Sequence, residues 1–224
     1  MAFGNGPRIV TSGLVVSLDA ADRNSYPGSG TTWADVSGNS NNFTLNNSPT
    51  FSTANGGRFA FNGTNQDATL SSLNLQQNFT LDGWFNPNVL NTFSMFGQGT
   101  TAARQGLHIW YISNTSVRFG MYSNDTDFTV ATSTGNWYNM VFTYNNSNPF
   151  TKQMYLNGVA LSGTPVETQT SYIGSGTFRL GSTYGTGVNY GNGSFAGIKV
   201  YNRILSATEI LQNYNAQKSR FNLI

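Results

Sequence analysis

The side chains able to do acid–base or metal chemistry are few: nine carboxylates, one histidine and no cysteine. The acids are Asp19, Asp22, Asp35, Asp67, Asp82, Asp125, Asp127, Glu167 and Glu209, and only Asp125 and Asp127, in "SNDTDF", stand close together. Hydrolysis with retention at a glycosidic bond needs two carboxyl groups about 5 Å apart, and scattered acids do not promise that pair. With His108 alone and no thiol, a zinc site has too few ligands. The Gly-rich run "GSTYGTGVNYGNGS" lacks the lysine and the spacing of a phosphate loop, and no G-x-S-x-G elbow occurs. This stock of residues argues against an enzyme.

Two other chemistries fit better. Hard-oxygen ligands recur in "FNGTNQD", with Asn62, Asn65 and Asp67, and in "SNDTD", with Asp125 and Asp127. Calcium takes six to eight such oxygens, backbone carbonyls included; the same residue types also serve ordinary polar turns. Sugar binding needs aromatic platforms beside polar groups, often on loops. Trp110 with His108 in "LHIWYIS", and Tyr184 and Tyr190 in the Gly-rich run, meet that description. Trp110 serves equally well as a core residue or a subunit contact.

Positioning these groups falls to strands. Short apolar runs alternate with Gly, Asn, Ser and Thr clusters along the chain, the pattern of a sandwich or barrel. The spacing predicts strands over 14–18, 58–61, 79–85, 107–113, 117–122, 137–144, 152–156 and 194–201. In "WYNMVFTY", Tyr138, Met140, Phe142 and Tyr144 share one face while Asn139 and Thr143 share the other, the period of a half-buried strand. Asn157-Gly158 suits the positive φ angles of a two-residue hairpin turn. Residues 28–42 and 181–194 read as long surface loops. One helix is marked near the end: Ser206 and Glu209 make a capping box, and Ile210, Leu211 and Tyr214 an apolar stripe for docking.

Composition bounds the setting. The 224 residues form a single domain, 1–224, with 215–224 as a C-terminal tail. Charged residues are 9% of the chain, against about 25% in typical soluble domains, so uncharged polar groups must provide solubility. Net charge is +2 without a Lys/Arg run, which does not suit nucleic acid. "LVVSL" is too short to span a membrane. The start lacks the pattern of a signal peptide, so the protein is expected to reach its place of work without one. Without disulfides, burial and sheet hydrogen bonds must hold the fold.

The ordered segments "FNGTNQD", "FTLDGWFNP", "NWYNMVFTYNNSNPFTKQMYLNGV", "FRLGS" and "GSFAGIKVYNRILSATEI" resemble the laminin-G-like, concanavalin A-like domains. That resemblance implies an all-β fold: an antiparallel two-sheet jelly-roll sandwich of the fourteen-strand class with one short C-terminal helix. The two ends, "GPRIVTSGLVVSLDAADRNSYPGSGTTWADVSGNSNN" and "NYNAQKSRFNLI", are similar to versions of this domain in structural proteins of tailed marine and cyanobacterial phages. They imply a non-enzymatic virion surface protein, assembled in host cytoplasm: a capsid decoration, head-fibre or tail-associated module. Its expected partners are other virion proteins, further copies of itself as a trimer, and host-surface glycan. A dedicated carbohydrate-binding module for host polysaccharide is the alternative, and a polysaccharide-degrading enzyme a third reading. The glutamate–aspartate–glutamate strand of the β-glucan-cleaving members has no counterpart, and Lys199 stands where an acidic residue often follows the Gly-x-Ile step.

Overall fold

The computed structural model describes residues 7–184 and 189–223. Its strands are β1 (Leu14–Asp19), β2 (Thr32–Trp33), β3 (Phe43–Asn46), β4 (Thr50–Ser52), β5 (Arg58–Asn62), β6 (Asp67–Leu70), β7 (Phe79–Pro87), β8 (Ser94–Gly99) and β9 (Gly106–Ser113). There follow β10 (Ser116–Gly120), β11 (Asp125–Thr129), β12 (Tyr138–Asn145), β13 (Thr151–Leu156), β14 (Val159–Leu161), β15 (Gly163–Pro165), β16 (Phe178–Leu180) and β17 (Asn192–Tyr201). Helix α1 (Ala207–Gln217) and a 3₁₀ turn, Lys218–Phe221, close the chain.

Two antiparallel sheets form the sandwich. The eight-stranded back sheet runs β14-β13-β12-β7-β17-β5-β4, and β1 also pairs with β17. β5 takes the first half of β17, Asn192–Phe195, and β1 takes the second, Gly197–Tyr201, so two short strands share one long edge. The nine-stranded front sheet runs β15-β11-β10-β9-β8-β16-β6-β3-β2. This is the expected jelly-roll architecture, drawn as seventeen segments because several edge pieces are only two or three residues long.

Alternation within strands sends one set of side chains between the sheets. Tyr138, Met140, Phe142 and Tyr144 of β12 pack into the central core, while Asn139, Val141 and Thr143 face away. Phe85 meets Phe93, Phe96 and Phe195 edge-on at centroid distances of 6.2, 5.6 and 5.2 Å, tying both sheets together. Burying one such ring is worth about 2–3 kcal/mol, which is how a chain without disulfides holds together. At the β13–β14 turn Asn157 and Gly158 have φ of 51° and 81°, as that dipeptide predicts.

Residues 181–194, read as a surface loop, are largely buried where described, and β17 begins within them at Asn192. The structure differs from the sequence reading in four further places. The fifth segment ends at Gly120, because Tyr122 and Ser123 turn the chain in the left-handed region. "SNDTD" opens as a turn, but Asp125 and Asp127 belong to β11. The loop 28–42 contains β2, whose Trp33 is fully buried.

The helix supplies the fourth. Its capping box is present, but Leu211 is exposed, and the docking face is Ile210, Asn213 and Tyr214, at the i, i+3, i+4 spacing of one helical face. Tyr214 stacks on Trp84 at 5.8 Å, and Phe221 on the same indole at 4.1 Å. Through Leu223 the terminal segment is therefore part of the fold and not a tail, since Trp84 on the outer face of the back sheet needs a cover. Arg220 fastens it by donating to Asp19 at 2.6 Å. Ile224 lies outside the described residues. Among them no helix is long and apolar enough to cross a membrane.

Candidate functional site

The C-terminal segment covers part of the outer face of the back sheet, and His108 and Trp110, singled out from the sequence, lie on the outer face of the front sheet. Along β9 the core takes Leu107, Ile109 and Tyr111, so strand alternation turns His108 and Trp110 outward. The register lays Gly97, His108, Gly120 and Asp125 in one row across β8, β9, β10 and β11, and Trp110, Arg118 and Asp127 in the next. Small residues flank the histidine in its row, and the space above them is taken: the imidazole leans over Gly120, and the backbone of Ser182 and Thr183 crosses Gly97, which brings Thr183 and Tyr184 beside His108.

A hollow beside the histidine has a volume of about 290 Å³ and is lined by Thr101, His108, Trp110, Tyr122, Thr183, Tyr184 and Asn189. Three of its rings meet edge to face: His108–Tyr184 at 5.4 Å, Tyr122–Tyr184 at 5.7 Å and His108–Tyr122 at 6.2 Å. Tyr184 lies flat against the backbone of Gly106, where a Cβ would stand 2.7 Å from its Cζ. Thr183 and Asn189 hold the arm that carries Tyr184: the Thr183 amide donates to the Asn189 carbonyl at 3.1 Å and the Asn189 amide to Thr183 Oγ1 at 3.0 Å. Residues 185–188, between them, lie outside the described residues.

Tyr122 is held from behind. Its carbonyl accepts the Arg104 amide at 2.7 Å, and Arg104 Nε donates to the Ser171 carbonyl at 3.0 Å. Tyr122 has φ of 58°, a conformation that costs a non-glycine residue about 1 kcal/mol or more and persists only where its surroundings impose it. Tyr122 as a whole is 40% exposed. Trp110 is half-buried, and His108 and Tyr184 are nearly closed off. The accessible platform is thus Trp110 and Tyr122; His108 and Tyr184 are its walls.

The charged groups beneath the platform are paired. His108 Nδ1 bonds the Gly106 carbonyl at 2.7 Å, and Nε2 faces Asp125 Oδ2 at 3.5 Å. Asp125 also accepts the Met121 amide at 3.0 Å and faces Arg118 at 3.4 Å. Burial pushes the Asp125 carboxyl up, but His108, the Met121 amide and Arg118 outweigh it and hold the group below the ordinary carboxylate range. Arg118 grips Asp127 with two bonds of 2.8 Å. Burial also holds the Tyr184 hydroxyl protonated, well above the usual tyrosine value.

Of the sugar-binding residues read from the sequence, the structure brings His108, Trp110 and Tyr184 together. Tyr190 pairs with Ser182 as an isolated bridge and does not line the hollow. Tyr122 was missed, because the sequence reading places it at the end of a strand, whereas Tyr122 and Ser123 turn the chain between β10 and β11; the polar run Ser123–Asn124 was the sign that the strand had already stopped.

The calcium ligands do not assemble. Asn62 Oδ1 accepts the amides of Thr64, Asn65 and Gln66 within its own turn at 2.9, 3.1 and 3.3 Å. Asp67 accepts from Asn46, Ser182 and Arg179, and Asp125 and Asp127 share Arg118. A cation at any of these oxygens would have to displace a guanidinium or a backbone donor. Among the described residues no group of three or more His, Asp or Glu side chains is arranged to hold a metal.

Comparison with known proteins agrees with this architecture. The laminin-G family model described as the concanavalin A-like lectin/glucanases superfamily matches residues 61–211. No curated protein matches the chain in sequence. Among solved structures, domain 4 of AbnA, an extracellular GH43 arabinanase from Geobacillus stearothermophilus in complex with arabinotriose, superposes with a TM-score of 0.67 at 17% identity. The superposition covers 90% of this chain and 98% of that one. The receptor binding domain of a botulinum neurotoxin C/D mosaic serotype gives 0.68 at 14% identity, covering 93% of this chain and 52% of that one. A Trypanosoma rangeli sialidase gives 0.69 at 18%, covering 93% of this chain and 33% of that one. The chain therefore spans about half the length of the neurotoxin domain and a third of the sialidase, and at these identities the likeness is one of fold. The fold is shared by binding domains and by parts of glycoside-cleaving enzymes, and on the match over 61–211 this chain belongs to the concanavalin A-like lectin/glucanases superfamily.

Proposed function

We propose that this domain is a non-enzymatic glycan-binding module whose front-sheet hollow receives one sugar residue of a longer chain. The observation that carries the reading is the convergence of Trp110, Tyr122, Tyr184 and His108 around a small polar-rimmed hollow. An indole and a phenol offer flat apolar faces to the C–H face of a sugar ring, while Thr101, Thr183 and Asn189 offer hydroxyl and amide partners to its rim. The volume, near 290 Å³, suits a single ring and not a long oligosaccharide. That the AbnA domain carries arabinotriose on a similar fold supports the class of ligand.

The state of the carboxylates supports binding over hydrolysis. A glycosidase needs one carboxyl raised so that it can act as an acid. Asp125 is instead held low, and Asp127 is locked to Arg118. A glycan array with the wild-type chain, then with Trp110→Ala and Tyr122→Ala, tests the binding reading. Specific hits that both variants abolish are expected, and a flat array overturns it. Release of reducing sugar from a bound polysaccharide would overturn the non-enzymatic part.

The setting we propose is a virion surface, as a decoration, head-fibre or tail-associated module repeated by particle symmetry, for instance as a trimer. Its support is the resemblance of the two chain ends to phage structural proteins. Negative-stain imaging of particles with labelled protein, together with light scattering of the free chain, tests it. Absence of the protein from particles sinks the setting without touching the glycan reading.

A further inference from the structure

A second hollow, of about 590 Å³, lies on the opposite side of the molecule, against the outer face of the back sheet. Its walls are Trp137, Phe221 and Tyr138, its rim is rich in asparagine, and Arg58 is the one charged residue that lines it. Arg58 opens β5, where alternation sends Phe59 and Phe61 into the core and Arg58 outward.

Arg118, Arg179, Arg203 and Arg220 each pair with an Asp or Glu, and Arg104 bonds Ser171 through its Nε and Nη2. Among the described arginines Arg58 is the one with a buried nitrogen left unpartnered. Among the described residues Arg58 meets no carboxylate, and its Nε is buried with no hydrogen-bond partner. A buried donor left unmade is costly, and native proteins seldom leave one without a reason. No acid lines the hollow to neutralise the guanidinium.

The surroundings say what the missing partner looks like. Trp137 and Phe221 pack at a tilt of 43° with centroids 4.6 Å apart, and Trp137 Nε1 donates to Asn55 Oδ1 at 3.2 Å, fixing the indole at the wall. Asn157 uses its Oδ1 to accept the Asn139 amide at 2.9 Å, which turns its NH₂ toward other partners. Asn222 is exposed and makes no side-chain hydrogen bond among the described residues. A guanidinium fork fits a carboxylate with two parallel bonds; amide groups fit hydroxyls; an aromatic wall fits the apolar face of a ring. Together they describe a hydroxylated ring that carries a carboxylate.

We propose that this hollow is a second saccharide site, selective for a uronic-acid residue, with Arg58 binding the carboxylate. It shares no residue with the front-sheet hollow and does not depend on the reading given to that one. A domain with both sites would grip an acidic polysaccharide on two faces, so that one chain could cross-link two strands of a coat.

The test is titration of ¹⁵N-labelled protein with digalacturonic acid and, separately, with neutral galactobiose, following the indole N–H resonance of Trp137. The acid is expected to move that resonance and to bind at least tenfold more tightly than the neutral disaccharide. R58Q should abolish the preference. An unmoved Trp137 resonance, equal binding of acid and neutral sugar, or a folded R58Q that binds the acid as wild type does would each overturn the proposal. So would equal competition by sodium acetate at the same concentration, which would show that any carboxylate suffices. Should R58Q lose its dispersed spectrum, R58K replaces it: keeping the charge but not the fork, it is expected to weaken binding at least threefold, and unchanged affinity overturns the proposal.

Discussion

His108 occupies the space that a side chain at Gly120 would fill: a Cβ on Gly120 would stand 2.5 Å from His108 Cε1 and 2.7 Å from Asp125 Oδ1. The two residues are cross-strand partners in register on β9 and β10, so the imidazole leans over the glycine to reach Asp125. Gly120→Ala must therefore expel the ring or shift the strand. We expect a loss of about 1–3 kcal/mol by chemical denaturation, the usual cost of overpacking, together with loss of the His108–Asp125 contact. Retention of both stability and glycan binding in this variant would contradict the packing described.

Trp110 and Tyr122 should separate binding from folding. Both are partly exposed and outside the central core, so truncation is expected to cost under about 1 kcal/mol of stability. As platform residues they should each cost about 2 kcal/mol or more of binding, over tenfold in Kd. Calorimetric titration with the best array ligand, beside a thermal melt of each variant, checks the split. Tyr184→Ala, by contrast, should lose stability as well, because its ring packs on the Gly106 backbone.

Lys199 and Asp82 form an ion pair 4.0 Å apart with side chains 3% and 1% exposed, under α1. Lys199 donates to Gln217 Oε1 at 2.6 Å, and Asp82 accepts from Asn139 at 2.7 Å and Asn213 at 3.0 Å. Lys199→Met leaves a buried carboxylate unbalanced and is expected to cost about 3–5 kcal/mol. The double variant Lys199→Met with Asp82→Leu should recover much of that loss. A double variant less stable than the single one would contradict this account.

Phe221 is the plug of the C-terminal segment, stacked on Trp84 and beside Trp137. Phe221→Ala should cost about 3–5 kcal/mol as a buried ring removed. It should also expose residues 215–223 to limited proteolysis, which mass spectrometry of the digest would reveal.

Glu209 gives a pH signature. Its carboxyl accepts from Arg203 at 2.6 and 2.9 Å and from the Ser206 amide at 2.9 Å. These bonds, Arg203 first, hold it at about 2 against an ordinary 4.5. With a depressed pKa the folded state binds fewer protons than the unfolded one, so the stabilisation is complete above 4.5 and drains as pH falls through about 2. Water screens this surface group, which keeps the effect near 1 kcal/mol. Urea midpoints across that range should fall for wild type, and the part due to Glu209 should vanish in Glu209→Gln.

Much of the fold was legible before the structure. Period-two strands such as 137–144, the Asn157-Gly158 turn and the Ser206–Glu209 capping box are local, and local backbone chemistry declares them in a few residues. His108 was legible as a residue on the polar face of its strand for the same reason, whereas the outward position of Trp110 needed the structure. Tyr122 was not legible, because its ring reaches the hollow through a left-handed turn that Arg104 and Ser171 enforce from distant loops.

The sequence by itself determined an all-β chain of short strands, the scarcity of acid–base groups and the marked closing helix, since each follows from residue type and short-range spacing; the sandwich came from the resemblance to the laminin-G-like domains. Only the tertiary structure decided which aromatic rings share a hollow, which carboxylates are neutralised by arginine, and that residues 215–223 are a docked cover. It also showed Arg58 to be a half-buried cation whose Nε is buried without a partner. Those outcomes depend on register across strands up to a hundred and more residues apart. Such long-range pairings are chosen by the packing of the whole core and not by any segment alone.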